Sequence, residues 1–275
     1  MNNINVPKQI LLVSSRSDPA GSMIHEEVKK LLVQRPDLED RYLHRQFDER
    51  LIYIDGPSLD TSADCIIFLS RHASKEPRPI LTVHVTGNYG PADYGGAPGT
   101  LTKAATGMMH AILNRLASDL PAGYAISYEA THHGPTLVPV PSCFVEVGST
   151  EVEWQDRSAA AAVARAVISA RPKEVIPLAG FGGTHYAKRQ TEITLMTRGG
   201  FGHIIPTRAL IYLTKNLFTD IVRDSGAVAI YIDRKSVKKD DIRRIEEYAN
   251  ELKLPVVGQS DLIGFKNISF KDYIQ

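Results

Sequence analysis

Short runs rich in Ile, Val and Leu alternate along the chain with longer amphipathic stretches, and that succession predicts an α/β protein. Gln9–Ser15 (QILLVSS) reads as a first strand that runs into a turn, Ser17–Ser22, placed to cap a helix over Met23–Val33. Leu51–Ile54 is a second extended piece, and Asp64–Ser70 (DCIIFLS) is nearly all apolar, the mark of a strand buried on both faces. Leu81–Thr86 (LTVHVT) alternates, with Leu81, Val83 and Val85 on one face and Thr82, His84 and Thr86 on the other. The Gly- and Pro-rich loop Gly87–Gly99 that follows is of a length usually kept for function.

Leu101–Ala117 has helical spacing, and Tyr124–Glu129 and Cys143–Val147 are further strands on either side of the Pro-interrupted Gly134–Pro141. Thr150 and Glu153 fit a capping box, whose helix propagates through an Ala-rich run to Ala170 and stops at Arg171-Pro172. Val175–Ala179 is strand-like and ends in Gly180-Phe181-Gly182-Gly183. Thr207–Val222 reads as a helix closed by Ser225-Gly226. Val228–Ile232, the charged helix Asp240–Leu252 and Pro255–Val257 form a βαβ-like tail. With no internal repeat, low-complexity stretch or linker, residues 1–275 are expected to form a single α/β domain.

Composition narrows the setting. No apolar run approaches the roughly 20 residues of a membrane span, so no membrane partner is expected. The N-terminal stretch MNNINVPKQILLVSS lacks a basic region ahead of its apolar run and reads as a strand rather than a signal. The two cysteines, Cys65 and Cys143, sit in apolar strands and read as buried, inert thiols, which fits a cytoplasmic protein. A net charge of +1 means that any polyanion must be held by a local patch.

The candidate chemistry lies in the histidines. Of nine, His72, His84, His132, His133, His185 and His203 fall in or just after strand-like segments, beside Gly, Ser, Thr or Glu. Imidazoles with carboxylates either ligate zinc, at about 2.0–2.2 Å, or act as general bases near neutral pH without a metal. Spacing alone leaves both open, and each histidine taken singly is as readily a hydrogen-bonded structural residue. Glu129 and Glu146 are the carboxylate candidates, because each interrupts an apolar strand, where a charge is costly unless paired or coordinated. HExxH and CxxC are missing, Gly180–Gly183 lacks the Lys-Ser/Thr of a P-loop, and Gly148-Ser149-Thr150 makes no GxSxG elbow. Lys188, Arg189, Arg198 and Arg208 form a modest basic group, either a solvated face or a contact for phosphates.

Five stretches occur in an order that resembles one family. They are Ser70-Arg71-His72-Ala73-Ser74, Leu81–Asn88 (LTVHVTGN), Glu129–Pro135 (EATHHGP), Phe144–Ser149 (FVEVGS) and Gly182–Tyr186 (GGTHY). Together they are similar to the archaeal and plant D-aminoacyl-tRNA deacylases, over about residues 9 to 260; Ala187 stands where proline is expected after His-Tyr. The resemblance implies a hydrolase that cuts the ester between a D-amino acid and the terminal ribose of tRNA. It further implies a three-layer α/β/α sandwich of the phosphorylase/peptidyl-tRNA hydrolase kind and two zinc ions per chain; apart from the resemblance, a monomer is expected. Zinc held among His72, His84, His132, His133 and His185 would lower the pKa of a water toward about 7. Glu129 or Glu146, with His133, would act as base or orienter, and the Gly182 and Gly183 amides would stabilise the oxyanion. Asn88, Lys188, Arg189, Arg198 and His203 are the expected substrate contacts. The loop Gly87–Gly99 would close over the adenosine, and L-amino acids would be rejected sterically. A phosphorylase-type enzyme with Gly180–Gly183 and Arg189 as its phosphate cradle, and a non-catalytic tRNA-binding module, are the alternatives.

Overall fold

The structure, a computed structural model, describes residues 6–54, 56–75 and 77–264. The first five residues of the stretch expected to lack a signal lie outside these.

Two sheets carry the fold. The first has six strands, β1 (Ile10–Ser15), β2 (Tyr42–Phe47), β3 (Cys65–Arg71), β4 (Ile80–His84), β5 (Ala125–Tyr128) and β6 (Ser142–Gly148), in the order β2-β1-β3-β6-β4-β5. All neighbours are parallel except β4 and β6, which run antiparallel. The second sheet is parallel throughout, β7 (Ile176–Phe181), β8 (Gly199–Ile205) and β9 (Ala229–Ile232), with β7 in the centre. The fold is therefore mixed α/β, with its strands divided between two sheets.

Strand alternation explains the layering. Cys65, Ile67 and Leu69 of β3 join the main core beneath helices α1 (Pro19–Val33), α2 (Thr106–Ser118), α3 (Glu151–Trp154) and α4 (Arg157–Ser169), while Ile66 and Phe68 turn to a smaller cluster with Phe144 and Leu59. The main core continues from the first sheet through Leu178, Phe201 and Ala229 of the second, so one apolar body joins them. On the far face of the second sheet, α6 (Lys215–Ser225) and α7 (Lys239–Glu251) pack Phe218, Ile221 and Ile245 onto Phe181 and Ile232. Helix α5 (Lys188–Met196) lies between β7 and β8 in sequence, and α8 (Gln259–Gly264) ends the described chain.

Several boundaries differ from those read in the sequence. Leu51–Tyr53 is a short 3-10 turn rather than a strand. The helix expected from Thr150 to Ala170 is two: Glu153 reaches back to the Thr150 amide and hydroxyl as expected, but Asp156 then caps a fresh start by accepting from Ser158 and Ala159. Thr207–Val222 likewise divides into a 3-10 segment and α6, which ends on Gly226 in the left-handed conformation. Strands β2 and β8 and helix α5 lacked a strong periodic signal and went unread. Cys65 and Cys143 are buried and unbridged. Among the described residues, no helix is long and apolar enough to cross a membrane.

Candidate active site

The antiparallel pairing of β4 with β6 builds the site. Thr82 lies opposite Glu146 and His84 opposite Phe144, so His84, Glu146 and Phe144 share one face. Val83 pairs with Tyr128, which places Glu129, one residue on, beside His84 on that same face. His72 follows β3, held by its amide to the Val147 carbonyl and by the Trp154 indole donating to its own carbonyl at 2.8 Å. The second sheet supplies the last member: Ala130 donates to the His185 carbonyl and Glu129 bridges to Tyr186, so His185 arrives where the two sheets meet.

Seven expected residues thus converge: His72, His84, Glu129, His132, His133, Glu146 and His185. Glu129 is the hub. Its carboxylate lies 3.0 Å from His72 Nδ1, 3.0 Å from His185 Nε2 and 3.5 Å from His132 Nε2. Glu146 stands 3.5 Å from His72 Nδ1 and 3.7 Å from His84 Nε2. Burial raises the Glu129 carboxyl, but His72 and His185 outweigh it and hold it well below the usual carboxylate range. Burial likewise raises Glu146, and His72 and His84 bring it below its ordinary value. Burial opposes a charge on His72, yet the two carboxylates push the imidazole up to about 11.

His84, His132 and His133 share one arrangement. Each directs Nδ1 to a backbone carbonyl, that of Val85 at 3.2 Å, Ala130 at 2.8 Å and Gly134 at 2.6 Å. A carbonyl only accepts, so each Nδ1 carries a proton and each Nε2 is turned to the cluster; burial opposes a charge on His84, but the Glu146 carboxylate outweighs it and raises that imidazole. Burial, with the neighbouring imidazoles, depresses His132 well below the ordinary range and His133 to about 4. His133 holds a left-handed φ of 49°, a strained conformation of the kind that gathers at functional sites.

The donor set fits a divalent metal. The ligand atoms of His84, His132 and His133 lie within 4.8 Å of one another, as do those of His72, Glu129 and His185, and those of His84, Glu129 and Glu146. Both Glu129 oxygens and His84 Nε2 are buried without an aligned hydrogen bond, although charged neighbours stand close. Short distances without donor alignment suit a cation between the groups better than a hydrogen-bonded core.

Other expectations are redirected. The Gly182 amide donates to the Ile205 carbonyl at 2.9 Å and the Gly183 amide to Ser236 Oγ at 2.7 Å, so neither donor expected at an oxyanion is free. His203 is wholly buried, accepting at Nδ1 from Thr131 and donating from Nε2 to the Thr102 carbonyl, and has no face for substrate. Asn88 is spent on the Gly95 and Ala97 carbonyls. With the Gly134 amide bonded to the Tyr94 carbonyl and the Ala97 amide to Thr136, the loop Gly87–Gly99 is a fastened wall rather than an open lid. Arg198 pairs with Glu174 just before β8, at the end of the strand away from Gly182. Lys188 and Arg189 open α5 and line a cleft beside the cluster, without joining it.

Two contributors were missed. Tyr186 places its hydroxyl 2.8 Å from His72 Nε2, and Arg78 lies over the Tyr186 ring at 3.8 Å. The adjacent His185 signalled the first; Arg78, between Pro77 and Pro79, carried no signal.

A model of the D-aminoacyl-tRNA deacylase family matches residues 59–257. The chain belongs to the D-aminoacyl-tRNA deacylase family. A D-aminoacyl-tRNA deacylase of Methanospirillum hungatei is 58% identical over 267 residues, covering 96% of this chain and 60% of that protein. One from Archaeoglobus fulgidus is 40% identical, covering 87% of this chain and 92% of its own length. The crystal structure of a conserved protein of unknown function, AF0625, superposes with a TM-score of 0.86 at 36% identity over 94% of this chain and 97% of that one. This chain spans 60–62% of the length of the relatives from Methanospirillum hungatei, Methanoculleus marisnigri and Methanosphaerula palustris.

Proposed function

We propose that the chain hydrolyses the ester of D-aminoacyl-tRNA, releasing the D-amino acid and free tRNA. The observation that carries this reading is the buried His/Glu cluster at the junction of the two sheets, in a member of the deacylase family. His72, Glu129 and His185 would hold one metal ion, and His84, His132 and His133 a second, zinc being the choice that suits imidazole and carboxylate together. When bound, zinc supplies Lewis acidity and activation of the nucleophile at neutral pH.

The side chains divide the remaining work. Glu129, tied to three imidazoles, orients them, and the backbone carbonyls of Val85, Ala130 and Gly134 fix the tautomers of the other set. Glu146, kept ionised, takes a proton from the water that attacks the acyl carbon. As the carbon–oxygen bond to ribose breaks, the same carboxyl returns that proton to the leaving ribose oxygen. The wall formed by the loop 87–99 and His133 limits the room beside the α-carbon, which is where rejection of L-amino acids would arise.

The phosphorylase alternative loses ground, because the amides of its cradle are spent and Arg189 is held by Glu192 and Gln259. We further propose that residues 1–275 form one domain of the three-layer phosphorylase/peptidyl-tRNA hydrolase kind, acting as a monomer in the cytoplasm. The apolar core that runs through both sheets supports the single domain.

Hydrolysis of D-tyrosyl-tRNA and L-tyrosyl-tRNA, with chelator and with zinc added back, tests the function. Selective loss of the D-ester, abolished by chelator and restored by zinc, is expected. Equal rates on both esters would refute the deacylase reading, and D-selective cleavage by protein shown by elemental analysis to be metal-free would refute the metal.

A further inference from the structure

Beside the cluster lies a cleft of about 950 Å³, at the C-terminal ends of β7 and β9. A segment of four residues links the two places: Gly183, Thr184 and Tyr186 line the cleft, while His185 between them meets Glu129. The cleft is of the size that holds a nucleotide, and strand ends of a parallel sheet are where such ligands sit.

Its floor carries an unanswered acceptor. Gln190 is fully buried; its amide nitrogen donates to the Gly182 carbonyl, which fixes the orientation, and its Oε1 has no partner. A Cβ on Gly183 would stand in ordinary contact with both Gln190 Oε1, at 3.7 Å, and Asp233 Oδ2, at 3.9 Å, so both oxygens border the place that this glycine leaves unfilled. Two acceptors therefore face one small volume, the pattern that receives neighbouring hydroxyls. The rim is basic but mostly occupied: Arg189 pairs with Glu192, Arg234 with Glu246, and Asp261 accepts the Gly258 amide. That leaves Lys188 and Lys235 as cleft cations with no ion pair among the described residues. Lys188 also opens α5, which has no side-chain cap, so the positive end of a helix adds to its charge.

We propose that this cleft binds a ribonucleotide unit of the RNA substrate, its ribose hydroxyls donating to Gln190 and Asp233 and its phosphate lying against Lys188 and Lys235. The proposal rests on the deacylase reading for the identity of the RNA, whose 3′-terminal nucleotides must lie next to the reacting ester. Acceptors paired with two free lysines suit a polyol phosphate; a purely apolar or purely anionic ligand would leave one of the two sets unused.

The test is calorimetric titration of the 275-residue chain with adenosine 5′-monophosphate, its 2′-deoxy counterpart and the trinucleotide CCA, at several salt concentrations. Binding of the ribonucleotides is expected, weakened about tenfold in a Lys188→Ala/Lys235→Ala variant, with the slope of log affinity against log salt reduced by about 1.4 for two lost phosphate contacts. Asp233→Asn, similar in shape, should reduce the preference for ribose over deoxyribose. Wild-type affinity and salt slope in the lysine variant would overturn the proposal, as would failure of the unmodified chain to bind any of the three probes. D-Tyrosyl-tRNA hydrolysis is followed in parallel. Lysine variants with normal CCA binding and unchanged KM overturn the cleft and leave the deacylase standing. Lysine-dependent CCA binding by a chain that spares D-tyrosyl-tRNA does the reverse.

Discussion

Tyr186→Phe isolates a single bond in the site. The substitution removes one hydroxyl, 2.8 Å from His72 Nε2, and keeps the ring on which Arg78 stacks. The Glu129 and Glu146 carboxylates facing Nδ1 push His72 up to about 11, so without metal the ring is an imidazolium with both nitrogens protonated, and with a metal ion at Nδ1 the proton stays on Nε2. Without the tyrosine hydroxyl that N–H loses its acceptor while only 4% of the His72 surface is exposed. An orphaned buried donor costs about 1–3 kcal/mol, a factor of roughly 5 to 150 in whatever equilibrium depends on the ring's orientation. The loss should therefore appear as zinc affinity reduced about 10–100-fold in competition with a chromophoric chelator, and as a comparable fall in D-tyrosyl-tRNA turnover at limiting zinc. In the metal-free protein the melting temperature should drop by about 2–4 °C for each kcal/mol lost. A variant with wild-type zinc affinity, turnover and melting temperature would show that the tyrosine does not orient His72.

The remaining predictions separate the two carboxylates and probe the frame. Glu146→Gln should retain metal, measured by elemental analysis, while losing about 10²–10⁴-fold in rate, whereas Glu129→Gln should lose both; the opposite pattern would exchange their roles. His203 is buried neutral and pushed down to about 4 by burial, against an ordinary value of 6.5. The unfolded chain takes up that proton first, so the stability is full above about pH 6.5 and is lost as pH falls toward 4, on the order of 3 kcal/mol in all. His203→Gln should flatten the dependence of urea-unfolding free energy on pH in that window, and an unchanged slope would count against it. Gly182→Ala places a Cβ 2.5 Å from Val237 Cγ2 at a φ of +98°, and should lower the urea midpoint by at least the equivalent of about 1–3 kcal/mol.

Sequence by itself determined a good deal. Alternation in LTVHVT put His84 on the face away from the core, and the apolar setting of Glu129 and Glu146 marked both as carboxylates in need of partners; both are buried in the cluster. Those are local properties, since a strand's period fixes which side chains share a face. Tertiary structure decided the rest. The antiparallel run of β4 against β6 sets His84 beside Glu146, and the meeting of the two sheets brings His185 across to Glu129; neither pairing leaves a trace in local periodicity. The same holds for what proved unavailable. The Gly182 and Gly183 amides looked free because a glycine turn exposes its donors, but Ile205 and Ser236, brought in by β8 and the segment after β9, take them. His203 resembled its neighbours in sequence, yet Thr102 and Thr131 claim both its nitrogens. A polar group's chemistry is written in the sequence, but its availability depends on which distant partner folding delivers to it.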